Sequence, residues 1–444
     1  MSDPQKKILL FGAGKSTAVL IHYLLDACLR HNWQLTIADS HAELVAARLQ
    51  QHPHGVAFIC DVNHDADRSH AIAQADIVIS MLPPALHFIV AKDCIHFRKN
   101  LLTASYLDNN IKSLEKEITS AGLFFLYETG LDPGIDHMSA MQIIQEIRDK
   151  GGQIKQFISH CGGLVAPESD NNPWHYKISW NPANVVNAGK SGAIYLRDHT
   201  IIDTPYNRIF ENIGTVELPG LSKLAYYPNR DSLAYQSVYG LTEAATFMRT
   251  TLRHPHFCTG WKYMIKAGLT TDAMIPGAHY NGIPLNRWFQ DRLNQSAGLS
   301  SFQDFLDKVV LPADRAIVTT LFDYLGLFSS DLIPENLGTP VLQFLLETRL
   351  KLAATDKDMI VMLHEIEYEI DSQPGQTKSW LIVKGENEVY TAMAQTVGLP
   401  LAIATELLLT RQLTLTGLHI PIKKEIYTPI LQQLKDNGIS FNFE

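Results

Sequence analysis

The chain has 444 residues, 46% hydrophobic and 19% charged, with a formal net charge of -9. That size and balance fit a globular chain of two or three domains. The acidic excess argues against a nucleic-acid or anionic-membrane partner, since either favours a basic surface.

Short, bounded apolar runs at Ile8–Phe11, Leu35–Ala38, Val56–Cys60, Ile77–Met81, Leu101–Ala104 and Leu123–Tyr127 read as strands buried on both faces of a parallel sheet. Helix-sized segments such as Ser16–Leu29, Ala42–Gln51 and Ser113–Ser120 lie between them, which is the doubly wound α/β pattern of a Rossmann domain. A helix over Ile135–Lys150 ends at Gly151-Gly152, and a strand over Gln153–His160 follows. A polar loop spans Val165–Pro173, and a hairpin-like stretch covers Ile194–Ile202. From about Leu241 to Leu352 the pattern is mostly helical, punctuated by Pro255, Gly260, Gly268, Pro276, Gly277 and Pro284. Strand chemistry returns at Met359–Ile370, a turn over Asp371–Gln376 leads into Ser379–Val383, and helices at Thr391–Leu408 and Tyr427–Asn437 close the chain. The expected organisation is α/β: a Rossmann domain over 1–131, a second mixed α/β domain over 132–238 and 355–444, and a helical insertion over 239–354. Part of 390–410 is expected to pack on the Rossmann domain.

No apolar stretch reads as long enough for a membrane span, and the polar start from Met1 to Lys7 has no hydrophobic region behind it, so neither a membrane segment nor a targeting segment is expected. Cys28, Cys60, Cys94, Cys161 and Cys258 are scattered and form no CxxC pair, which argues against a disulfide framework or zinc site and for buried thiols in a reducing, cytoplasmic setting. Among 18 histidines there is neither HExxH nor a close His/Cys cluster in sequence, so no metal is expected.

Gly12-Ala13-Gly14-Lys15-Ser16-Thr17 follow the first strand and open the first helix. Gly12 permits the tight turn and Gly14 lets the backbone approach a pyrophosphate at a helix N-terminus, whereas Thr17 stands in place of the third glycine of GxGxxG. The alternative is a glycine-rich turn that binds nothing, and position at the head of a βαβ unit favours the dinucleotide. Asp39 ends the second strand, where an acidic side chain accepts the ribose hydroxyls and repels a 2′-phosphate, so NAD is expected over NADP. The alternative is a cap for the helix from Ala42, for which neighbouring Ser40 serves equally. Arg48 reads as a solvated charge. Later strand ends carry Asp61-Val62, Ser80-Met81-Leu82 ahead of Pro83 and Pro84, and Thr103-Ala104-Ser105-Tyr106, all candidates to line the cofactor because ligands sit beyond the carboxyl ends of parallel strands. After the sixth strand comes Gly130-Leu131-Asp132-Pro133-Gly134-Ile135-Asp136-His137, in which Asp132 is the functional candidate and Asp136 a helix cap.

At this motif, with Cys161-Gly162-Gly163-Leu164-Val165-Ala166-Pro167-Glu168, Asn172-Pro173 and Tyr176-Lys177-Ile178-Ser179-Trp180, the chain resembles saccharopine dehydrogenases of the glutamate-forming type. The likeness continues through Tyr227-Pro228-Asn229-Arg230-Asp231-Ser232, Thr251-Leu252-Arg253, Ala392-Met393-Ala394 and Val397-Gly398-Leu399-Pro400, and so covers nearly the whole chain in order. The resemblance implies that the second domain binds substrate and forms a homodimer. It implies that Ser105, Tyr106, Asp132, Arg230, Thr251, Leu252 and Arg253 contact saccharopine, and that Thr103, Leu131, Asp132, Pro133 and Ser179 lie by the cofactor. Tyr106, Asp132 and Cys161 are then the polar groups nearest the reacting carbon and nitrogen. Asp39-Ser40-His41 stands where NADP-using members typically carry arginine, which favours the degradative, NAD-using type. Lys15-Ser16 occupies positions where an aromatic and an aliphatic residue are common. Two other readings compete: a carboxynorspermidine dehydrogenase-like enzyme, against which Arg230 and Arg253 weigh, and a non-catalytic nucleotide sensor, against which Tyr106 and Asp132 weigh.

Overall fold

The four residues Ile8 to Phe11 are all buried, so the first strand has no solvent face, as a central parallel strand requires. The computed structural model describes residues 5–271 and 277–444; Pro276 and residues 1–4 lie outside the described residues. The chain begins β1 (Lys7–Phe11), α1 (Ala18–His31), β2 (Gln34–Asp39), α2 (Ala42–Leu49), β3 (Gly55–Ile59), α3 (Asp65–Gln74) and β4 (Ile77–Ser80). It continues α4 (His87–His96), β5 (Asn100–Leu102), α5 (Asn109–Ser113), α6 (Glu115–Ser120), β6 (Phe124–Leu126) and α7 (Ile135–Asp149). The next stretch holds β7 (Gln153–Val165), α8 (Pro182–Val186), β8 (Ala193–Arg197), β9 (Thr200–Thr204), β10 (Gly214–Val216), β11 (Leu224–Pro228), β12 (Arg230–Asp231) and β13 (Thr246–Arg253). Helices α9 (Pro255–Lys266), α10 (Leu285–Ala297), α11 (Phe302–Lys308), α12 (Arg315–Tyr324) and α13 (Val341–Arg349) precede the hairpin of β14 (Asp358–Ile370) and β15 (Gln373–Lys384). Then come α14 (Ala392–Leu409), β16 (Gly417–His419) and α15 (Lys424–Asp436).

Two compact units result: Met1–Gly152 with Val389–Asn442, and Gln153–Glu388 with Phe443–Glu444. These divisions differ from the expected boundaries. Helix α7 and the segment from 389 onward group with the Rossmann strands, because α15 lies on α7 and α14 on α1. The helices of the expected insertion group with the second sheet, whose loops share their core.

In the first unit the sheet runs β16-β6-β5-β4-β1-β2-β3, and every pairing is parallel. Six of these strands match the apolar runs. The seventh, β16, adds three residues from the far end of the sequence beside β6, too few to show any period. Helix α14 corrects the reading that no apolar stretch is long enough to span a membrane: its 18 residues have mean hydropathy 1.5, enough by length and composition. It is nonetheless a core helix, 72% buried and packed on α1, α15 and β4. Gly398 permits that close approach, since a Cβ there would meet the Leu20 backbone nitrogen at 2.9 Å. Farther along, the Tyr23 hydroxyl of α1 donates to Glu406 Oε2 at 2.6 Å and Arg30 Nη2 donates to the same carboxylate at 2.9 and 3.0 Å.

The second unit is a mixed sheet with the path β10-β11-β13-β7-β14-β15, in which β13 and β7 are parallel and the other neighbours antiparallel. Strand β13 lies inside the stretch read as mostly helical. Seven of its eight residues are buried, so it shows no alternation of apolar and polar residues to betray it. Asp371 and Ser372, at φ 50 and 62, form the tight reversal between β14 and β15, a geometry whose twist suits a two-residue hairpin. Helices α9 to α13 close over a core built on Trp174, Trp261 and Trp288, with Phe257 stacked on Trp261 at 5.2 Å.

Gly398→Val should lower the first unit's stability by roughly 1–3 kcal/mol through overpacking against α1. Thermal unfolding checks this, and an unchanged midpoint would mean that α14 does not hold α1 by close backbone contact.

Candidate functional site

At the head of the first unit the chain reverses on leaving β1: the Gly12 amide donates to Ala38 O at 2.9 Å while its φ is +102. A Cβ at Gly12 would meet Met81 O at 2.8 Å, so only glycine lets β1 and β4 part this closely. A Cβ at Gly14 would meet nothing within 4 Å, so that face of the loop is open to a phosphate. Lys15 to Thr17 form one tight helical turn ahead of α1, with the Thr17 hydroxyl donating to Gly14 O at 2.8 Å.

Asp39 is engaged by its own chain. Its Oδ2 accepts the Ala13 amide at 2.8 Å, and its Oδ1 accepts the His41 amide at 2.9 Å and lies 3.0 Å from His41 Nδ1. Burial opposes its charge, but the His41 and Ala13 amides outweigh that and hold the carboxyl below the usual carboxylate range. Neither Asp39 nor Ser40 caps α2, whose N-cap is His41 without a side-chain bond. Arg48 is no solvated charge: it is half-buried, reaches Gly14 O with Nη2 at 3.4 Å, and leaves a buried Nε without a partner.

The other expected cofactor residues follow the same edge of the sheet: Asp61-Val62 past β3, Ser80-Met81-Leu82 at the end of β4, Thr103-Ala104 after β5, and Leu131-Asp132-Pro133 after β6. His87, which has no sequence signal, joins two of these groups. Ser80 Oγ lies 2.8 Å from its Nδ1 and Ser105 Oγ 2.6 Å from its Nε2. Burial pushes His87 down to about 4. Next to Ser105, the Tyr106 hydroxyl donates to Asp132 Oδ1 at 3.4 Å. The turn bearing Asp132 is fixed from below: the Gly134 amide donates to Asp136 Oδ1 at 2.6 Å, so Asp136 closes the turn at the start of α7. His137 Nε2 lies 2.8 Å from Glu128 Oε2, whose Oε1 accepts the Leu107 amide at 2.9 Å. All three of Glu128, Asp136 and His137 are buried.

In the second unit Cys161 of β7 pairs with Thr251 of β13 and with Met362 of β14, so this thiol sits in the sheet's centre. Arg253, only 4% exposed, ends β13 with its guanidinium over Tyr176 at 5.3 Å and Phe257 at 5.4 Å. Its Nη1 donates to Leu252 O at 2.8 Å, its Nε is buried without a partner, and among the described residues no carboxylate pairs with it. Arg230 is exposed, at φ 53 in β12, and the neighbouring Asn229 amide donates to Arg249 O. Arg249 is four residues before Arg253, or about 13 Å along the strand, so the two expected arginines occupy separate places. Ser179 is buried just past the bridge between Ile178 and Lys351.

The expectation of no close histidine cluster is corrected. His175, His254 and His256 converge from two segments, their ligand atoms all within 4.8 Å of one another. Burial first, then His175 and His256, push His254 down to about 4. Separation in sequence hid the cluster.

Two family models match the chain: the saccharopine dehydrogenase NADP binding domain over residues 8–126 and the saccharopine dehydrogenase C-terminal domain over 130–439, the latter reaching into the first unit at both of its ends. Alpha-aminoadipic semialdehyde synthase of Rattus norvegicus is 34% identical over 99% of this chain but only 48% of its own length, so the chain spans about half of such relatives. Saccharopine dehydrogenase [NADP(+), L-glutamate-forming] of Saccharomyces cerevisiae is 32% identical, and that of Pyricularia oryzae 30%, over 97% of both chains in each case. A solved structure of the Saccharomyces cerevisiae saccharopine dehydrogenase (L-Glu forming) superposes with TM-score 0.88 at 31% identity, covering 99% of each chain. The preference for NAD expected from Asp39 is overturned, since the fungal relatives are named for NADP(+) and the N-terminal model is that of an NADP binding domain. The physical reason lies in Asp39 itself, whose carboxylate closes the loop between β1 and β2. A parallel-sheet dinucleotide fold and a mixed second sheet, matched end to end, make this chain a member of the saccharopine dehydrogenase family.

Proposed function

We propose that the chain catalyses the NADP-linked oxidation of saccharopine to glutamate and 2-aminoadipate 6-semialdehyde, a step of lysine metabolism. The observation that carries this reading is Arg253, a guanidinium buried without an acidic partner. Such a group is costly unless a ligand supplies the anion, and saccharopine brings three carboxylates. Exposed Arg230 is a second carboxylate contact, and Thr251 and Leu252 shape the strand end beside Arg253. The five cysteines are all buried, which fits a reducing compartment. The family likeness is the support for a homodimer.

NADP, when bound, supplies the hydride acceptor. Gly12, Gly14 and the Lys15–Thr17 turn would hold its pyrophosphate, Arg48 with its orphaned Nε would meet the 2′-phosphate, and Ser80, Met81, Thr103, Ala104, Leu131 and Pro133 would line the rest. The substrate's secondary amine loses hydride from carbon and a proton from nitrogen, giving an imine; water adds to that carbon, and the carbinolamine collapses to amine and aldehyde. Tyr106 and Asp132 hold the amine and the incoming water by hydrogen bonds. His87 stays neutral and fixes the Ser105 hydroxyl, one residue before Tyr106.

Arg253→Ala should raise the KM for saccharopine by a factor equivalent to about 2–5 kcal/mol, the loss typical when one member of a buried charged pair is removed. Lysine should rescue only partly, because a point charge lacks the planar fork. Steady-state kinetics on folded protein check this, and a saccharopine KM unmoved by either change would overturn the substrate reading.

Arg48→Ala should lower kcat/KM for NADP at least about tenfold, or 1.4 kcal/mol, with the KM for saccharopine little changed. If the variant keeps full efficiency with NADP, Arg48 only braces the loop and Lys15 becomes the phosphate partner.

His87 ties stability to pH. Its folded value of about 4 lies below the ordinary 6.5, so the unfolded chain binds more protons between those values. The contribution is fully present above about 6.5 and is lost as pH falls through 4, a loss of about 3 kcal/mol. Denaturant unfolding at pH 7 and pH 5 should show a smaller acid loss in His87→Gln than in the parent, and an identical loss would rule out this role.

A further inference from the structure

We propose that His175, His254 and His256 bind one divalent transition-metal ion of borderline character, such as zinc, cobalt or nickel, with Asp170 supporting His175 from behind. The three rings come from a loop of the second unit and from the segment that starts α9. Ring centroids lie 5.1 Å apart for His175 and His256 and 4.9 Å for His254 and His256, with the His175–His254 pair closer at 3.7 Å. Nitrogens about 2.0–2.1 Å from a tetrahedral ion are about 3.4 Å from each other, so the ligand atoms, now within 4.8 Å, reach coordination distance once the rings turn and the closely set His175–His254 pair opens.

The hydrogen bonds prepare two of the three rings. His175 Nδ1 donates to Asp170 Oδ2 at 2.6 Å, which leaves the Nε2 lone pair for the ion in a carboxylate–histidine–metal arrangement. His256 bonds the Pro173 carbonyl with one ring nitrogen, and its Nδ1 is buried with no partner at all. An orphaned buried acceptor is uncommon and calls for an occupant. The third ring needs one exchange: His254 Nδ1 accepts the His256 amide at 3.2 Å, so ligation through Nε2 moves its proton to Nδ1 and gives up that long contact. Asp170 Oδ1 is likewise buried without a partner, and supplies negative charge beside an otherwise neutral donor set. His175 is held at φ 48, a conformation few non-glycine residues adopt. A cavity of about 60 Å³ lined by Asp170, His175, His254, Leu164, Leu224 and Met359 leaves room for a water as fourth ligand.

Imidazole donors suit zinc, nickel and copper and not calcium or magnesium. The ion would pin the loop bearing Tyr176 to the residues after Arg253, whose guanidinium stacks on that ring. The site therefore stiffens the wall of the proposed carboxylate receptor without touching the reacting atoms.

The full chain, stripped with chelator and free of substrate and cofactor, is titrated with Co²⁺ alone. One equivalent should give the visible absorption of a four- or five-coordinate nitrogen site, displaced by Zn²⁺. His256→Gln and His175→Gln should abolish the signal, and Asp170→Asn should weaken binding about 10- to 100-fold while keeping all three rings. Circular dichroism reports folding of each variant, and the Asp170 change carries the test if a histidine variant does not fold. No saturable one-equivalent signal, or a signal unchanged in the folded variants, overturns the proposal. Because neither saccharopine nor NADP is present, that result leaves the catalytic reading to its own kinetics.

Discussion

Seven strands that all run the same way end on one edge, and that shared direction is the constraint from which the rest of the first unit follows. With β1 central and the chain winding outward first through β2 and β3, then through β4, β5 and β6, the edges part between β1 and β4. Gly12, Asp39, Ser80, Thr103 and Asp132 come from stretches far apart in sequence, yet each leaves a strand at the same end. Only glycine fits at position 12, because the Met81 carbonyl stands where a side chain would begin. The sheet therefore sets where a dinucleotide lies before any side chain selects it.

Polar groups buried behind that edge hold it in place. Glu128 joins the Leu107 amide to His137, so the strand end of β6, the loop after β5 and the first turn of α7 share one carboxylate. His87 bridges Ser80 and Ser105 in the same way. Networks of this kind stabilise little on balance, but they leave few alternatives for the loops they connect. Asp39 belongs with them: a residue that looks like a selector of the ribose is first a clamp between β1 and β2.

The second unit works with the opposite resource, a charge whose partner is missing. Arg253 is surrounded by Tyr176 and Phe257, which stack on the guanidinium without neutralising it. The mixed sheet supplies the rigidity, since β13 lies between β11 and β7 and cannot shift without breaking both ladders. The neighbouring histidine cluster repeats the pattern, with the His256 Nδ1 buried and without a partner.

By itself the sequence determined the six strands of the first sheet, the glycine loop, the Asp132 turn and the family, because these rest on local apolar runs and on motifs contiguous in the chain. Strand β13 was illegible because burial on both faces removes the alternation that marks a strand, and β16 because three residues have no period. Tertiary structure alone decided which side chains meet: Arg48 with Gly14, His87 with two serines, and three histidines from two segments. It also decided that an apolar 18-residue helix packs inside the first unit. Each of these depends on the path of the chain between distant segments, and a hydrophobic pattern records only which face of a segment turns inward, not what it finds there.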